Sequence, residues 1–82
     1  MFELVCSVHE GVFSNERLVT FSSVDGTPYS ALVDSAHLVS DEMGDGKVRV
    51  RAHMEGERAV VLLPNSGDRV LVSSAQLNPV PS

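Results

Sequence analysis

The sequence is poor in aromatic residues and in cysteine. Tryptophan is absent, and only one Tyr and three Phe occur among 82 residues. There is one cysteine, Cys6. A single thiol cannot staple a small fold internally, because disulfide-dependent mini-domains carry an even count. Cys6 therefore reads as a small buried hydrophobe in a reducing compartment. A reactive thiol needs a base and electropositive surroundings, and its charged neighbours in sequence are Glu3 and Glu10. Positive charge is also scarce: six Lys and Arg stand against eleven Asp and Glu, a net of −5. The stretch MFELVCSVHE has no basic leader and no long apolar run. It is expected to be neither a signal peptide nor a membrane span, which makes the cytoplasm the default location.

Catalytic and cofactor motifs are missing too. No GxGxxG or Walker sequence offers a phosphate cradle. No serine sits in a GxSxG elbow. His9, His37 and His53 lack the spacing of recognised metal motifs, and ligation needs three or four converging donors. His9 and His53 are expected at surface hairpin turns. His37 is expected to point outward without specific chemistry. No metal, no cofactor, no catalytic residue and no enzymatic activity are expected.

What is present is a repeated phrase. ALVDSAHLV (Ala31 to Val39) resembles VLVSSAQLN (Val70 to Asn78) at an offset of 39. Walking backwards, ERLVTF from Glu16 lies over ERAVVL from Glu57. VHEG lies over AHMEG, and LVCSV from Leu4 over VRVRA from Val48. The mismatches in length fall at Val12 to Asn15 and at VDGTPYS against NSGDR, which are turn compositions. The chain thus reads as a single domain, 1–82, of two half-repeats, 2–40 and 47–78, with a frayed tail at 79–82.

Each half reads as three short strands. Val48, Val50 and Ala52 alternate with Lys47, Arg49 and Arg51, the period-two signature of a half-buried strand. Leu4, Cys6 and Val8 are the matching inward set. Asp25-Gly26-Thr27-Pro28 and Asn65-Ser66-Gly67-Asp68 are turn chemistry, and Met43 to Gly46 reads as a flexible junction. Ser35-Ala36-His37-Leu38 and Ser74-Ala75-Gln76-Leu77 each read as a Ser-capped 3-10 turn whose Leu plugs the core. One three-strand unit cannot bury its own apolar face, so two should wrap together. The expected fold is all-β: a small closed barrel of about six strands. With its strand, helical turn and apolar anchor at the end, it resembles the SH3-type barrels in outline.

Charge is divided between the halves. Residues 1–46 carry a net of −7, and residues 47–82 a net of +2. Lys47, Arg49, Arg51, Arg58 and Arg69 could contact phosphates. The acidic balance and the missing aromatics argue against nucleic acid as a partner. The continuous runs around Leu18 and Val60 leave facing open. If Val60 and Leu62 face inward, Val61 and Leu63 face out, and Leu71 alternates outward with them. Val61, Leu63 and Leu71, rimmed by Arg49 and Arg51, are then the expected interaction surface. The expected function is a non-enzymatic binding or assembly module, with a protein partner or a second copy bound there. No membrane partner is expected.

Overall fold

The computed structural model describes residues 1–39, 43–64 and 66–80. Ser40 of the first half, Asn65 of an expected turn, and Pro81 and Ser82 of the tail lie outside the described residues. The strands are β1 (Phe2–Glu10), β2 (Glu16–Ser22), β3 (Pro28–Asp34), β4 (Gly44–Glu55), β5 (Arg58–Leu62), β6 (Arg69–Ser73) and β7 (Leu77–Pro79). A 3-10 turn, Ser35–His37, follows β3, and a second, Ser74–Gln76, follows β6. All the pairings are antiparallel. The order across the sheet is β3-β2-β1-β4-β5-β6, with short β7 beside β1.

The alternation expected of the first strands is the alternation seen. Leu4, Cys6 and Val8 of β1 and Val48 and Val50 of β4 are buried, while Lys47, Arg49 and Arg51 are exposed. Leu4 pairs with Val48 at the middle of the sheet. Leu77 lies beside Leu4, and Leu38 bridges to Val48. A buried row, Leu38–Val48–Leu4–Leu77, therefore crosses the centre. The leucine after each 3-10 turn enters the core, as expected. The cap of each turn comes one residue earlier than expected: Asp34 accepts from the Ala36 N–H, and Ser73 from the Ala75 N–H. A short acceptor before the turn reaches back over its first free amides.

The sheet curls into a half-barrel rather than the expected closed barrel. Among the described residues, β3 and β6 share no ladder. The β2–β3 turn crosses toward β6 instead, and Val24 N–H donates to the Leu71 carbonyl at 2.8 Å. The Tyr29 hydroxyl reaches Asp68 at 2.9 Å, and Gln76 reaches the Ser22 carbonyl at 2.8 Å. The turn thus occupies an edge carbonyl of β6 that a closing strand would need. This blunts the edge of β6 by a second route open to natural sheets.

Three further expectations change. Gly44 to Gly46 belong to β4 and pair with Val8 to Cys6, so they form no flexible junction. Gly46 is required there because a Cβ would lie 2.8 Å from Val8 Cγ2. Pro79 ends β7 opposite Phe2, and the next amide, Val80 N–H, bonds to the Met1 carbonyl at 3.1 Å. A proline is tolerated at such a strand end because a missing N–H interrupts no interior ladder.

The third change concerns β5. Ala59, Val61 and Leu63 are core residues, and Val60 and Leu62 face outward. Val61 and Leu63 therefore cannot form the expected surface. Matching ERLVTF to ERAVVL displaces the strand by one residue. In the fold, Leu18 lies opposite His9, and Val60 opposite His53. A slip of one residue exchanges the two faces of a strand completely.

Candidate interaction face

The outer face of β4, β5 and β6 is built in cross-strand rows. Arg51, Leu62 and Arg69 form one row, and His53, Val60 and Leu71 the next. Arg58 stands between Glu55 and Ser73 in the row beyond. Lys47 and Arg49 continue the same face toward β1, where they oppose Val5 and Glu3. All five bases of residues 47–82 thus share one face. Leu71 and Arg49 and Arg51 lie where an interaction surface was expected, although Leu71 is only half exposed.

The apolar centre is Leu62, 39% exposed, with half-buried Val60 and Leu71 beside it. Two hollows flank it. One, of about 360 Å³, is lined by Met1, His37, Arg49, Arg51, Leu62 and Pro64, and by the almost fully buried Val50 and Leu63. The other, of about 230 Å³, lies between His53, Val60 and Arg69. Arg51 and Leu62 border both. His37, expected to point outward without specific chemistry, is among the residues that line the larger groove.

Lys47, Arg51, Arg58 and Arg69 form no ion pair with a described residue. Arg49 donates a long hydrogen bond, 3.5 Å, to the Leu38 carbonyl. His53 lies 3.9 Å from Glu55, with both side chains well exposed. The corresponding rows of the first half are different in kind. His9, Leu18 and Leu32 repeat the His–aliphatic–Leu row, but Ser7, Thr20 and Ser30 stand where Arg51, Leu62 and Arg69 do. His9 and the Thr20 hydroxyl share a hydrogen bond at 3.3 Å.

A second exposed apolar feature lies at the far end of β1. The β1–β2 loop presents Val12 at 77% exposure and Phe13 at 67%. Sequence reasoning marked this stretch only as a turn. The available signal was two large apolar residues amid Gly, Ser and Asn. Leu62 was missed for another reason: a run without polar residues carries no alternation to read.

The Cys6 thiol is pushed up to about 11 by burial, partly offset by a backbone hydrogen bond with Val48. At neutral pH it is protonated and enclosed. Among the described residues, no group of three or more His, Cys, Asp or Glu could hold a metal ion. None of their helices is long and apolar enough to cross a membrane. The chain matches no protein-family model, no curated protein and no solved structure.

Proposed function

We propose that this chain is a non-enzymatic binding module, and that its working surface is the outer face of β4–β5–β6. The partner is a protein segment that is acidic and carries apolar side chains. The observation that carries this reading is the Arg51–Leu62–Arg69 row, an exposed leucine between two arginines that pair with no acid among the described residues, beside a groove lined in part by apolar residues. An apolar centre with a charged rim is the common layout of a protein interface. The arginines supply charge complementarity, which selects partners and speeds encounter.

The same proposal covers the finer architecture. The matching order of strands and 3-10 turns, and the reciprocal placement of Leu38 and Leu77, support an internal duplication. The ending of β6, 3-10 turn and Leu77 supports an SH3-like outline of the fold. A lone, enclosed thiol supports residence in the cytoplasm.

The alternative occupant is a nucleic acid, favoured by five bases on one face. Against it stand the overall acidity and the lack of a Phe, Tyr or Trp among the residues of that face. The test is to pan a random peptide display library with the folded chain. The expected winners are acidic and apolar. Leu62→Asp and Arg51→Glu should each weaken the best peptide at least tenfold, with an unchanged circular dichroism spectrum. Peptide binding indifferent to both substitutions would overturn the reading. So would tight, steeply salt-dependent binding of a generic single-stranded oligonucleotide with no peptide enriched.

A further inference from the structure

The β1–β2 loop is an ordered finger rather than a loose end. Gly11 N–H donates to the Glu16 carbonyl at 3.2 Å, and Glu16 N–H to the Phe13 carbonyl at 3.0 Å. Val12 N–H donates to Glu16 Oε1 at 3.2 Å. Arg17 ties the base by donating to the Ser14 and Glu16 carbonyls at 2.9 and 2.8 Å. Ser35 N–H donates to the Asn15 carbonyl at 2.8 Å. Gly11 is needed for this geometry, since a Cβ there would stand 2.6 Å from the Glu16 carbonyl oxygen. A loop held this firmly has little ordering entropy left to lose on binding. Yet its two largest side chains, Val12 and Phe13, are mostly in water.

The finger carries acid beside its apolar tip, Glu10 and Glu16, and it belongs to the strongly acidic half of the chain. The groove lined by Arg49 and Arg51 carries the opposite charge beside the apolar Met1, Leu62 and Pro64. The two features cannot meet within one molecule. The finger follows Glu10, while the groove reaches Met1 and Val50, the other end of β1. Nine residues of strand separate them, about 27 Å at roughly 3 Å per residue.

We propose that the Val12–Phe13 tip of one copy seats in the Arg49–Arg51–Leu62 groove of a second copy. The groove, about 360 Å³, has room for a phenyl ring and a valine side chain. The contact is heterologous: one copy gives the finger and the next gives the groove, so copies add head to tail. This inference rests on the reading of the β4–β5–β6 face given above, and it names one occupant of it. Attraction between exposed charges makes the association weaken as salt screens it.

Sedimentation velocity of the full chain across a wide concentration range tests this. The weight-average mass should rise with concentration at low salt and fall back in high salt. Phe13→Ser and Arg51→Glu change exposed residues, and each should reduce self-affinity at least tenfold while the chain stays folded. Mixing the two variants should restore a dimer, because Phe13→Ser keeps an intact groove and Arg51→Glu keeps an intact finger. A wild-type chain that is monomeric throughout overturns the proposal, as does a mixture no heavier than either variant alone. If the wild type is monomeric yet Arg51→Glu abolishes capture of acidic, apolar display peptides, the face stands and only its proposed occupant falls.

Discussion

Two adjacent leucines decide whether the β5 register, and with it the proposed face, is right. Leu63 is 1% exposed and Leu62 is 39% exposed. Truncating a buried leucine to alanine removes its transfer free energy and leaves a cavity, together about 3–5 kcal/mol. A chain of this size has a total stability of roughly 4–12 kcal/mol. Each kcal/mol moves the melting temperature of a domain this small by roughly 4–8 °C. Leu63→Ala should therefore lower the midpoint by on the order of 12–40 °C. Leu62→Ala leaves no cavity and should stay within about 0.5 kcal/mol of wild type. Thermal and urea unfolding followed by circular dichroism measure both. Equal losses, or a larger loss at Leu62, would mean that β5 presents the opposite side chains to the core. The Arg51–Leu62–Arg69 row would then not exist.

Three other expectations test different parts of the fold. Gly46→Ala should destabilise by roughly 1–3 kcal/mol because its methyl meets Val8, and Val8→Ala in the same chain should recover part of that in a double-mutant cycle. Cys6 should react with a thiol reagent at pH 8 only as fast as the fold opens. Its folded pKa of about 11 lies above the unfolded 9.0, so this group's contribution to stability is complete below pH 9 and is lost as pH rises from there through about 11. Asp25 is held at about 2, chiefly by the Ser23 hydroxyl and then the Thr27 N–H. Its contribution is present above pH 3.8 and is lost as pH falls through about 2, so an NMR titration should find the low value in wild type and a higher one in Ser23→Ala.

Much of the fold was legible where polar and apolar residues alternate. Lys47 to Ala52 declares both its strand and its buried side, and the structure buries Val48 and Val50. The SA-x-L phrases announced both 3-10 turns and the buried leucines that follow them. The run Ala59 to Leu63 declared only that it is a strand. Its facing is set by the ladder with β4, where His53 meets Val60, and a ladder is a long-range fact. Barrel closure was illegible for a similar reason. It turns on whether β3 reaches β6, and the β2–β3 turn takes the Leu71 carbonyl first. The candidate face inherits both limits. Its arginines were readable from alternation, and its central leucine was not.

The contrast between the two halves is the strongest reason to look for function at β4–β5–β6. Both scaffolds carry the His–aliphatic–Leu row, so that row is compatible with the strand geometry on either side. The neighbouring row is Ser–Thr–Ser in one half and Arg–Leu–Arg in the other. Folding alone does not require the second composition, since the hydroxyl row occupies the same strand positions in the first half. An exposed leucine flanked by two arginines adds apolar surface to water and places like charges near each other, and neither helps a monomer. Both become favourable once an acidic, apolar surface covers them. The β1–β2 finger departs from the tight Glu55–Arg58 hairpin in a matching way, since its longer loop lifts Val12 and Phe13 into solvent. The two halves therefore differ at an apolar tip beside acid and at an apolar groove beside base, the two surfaces that the proposed head-to-tail contact would bury together.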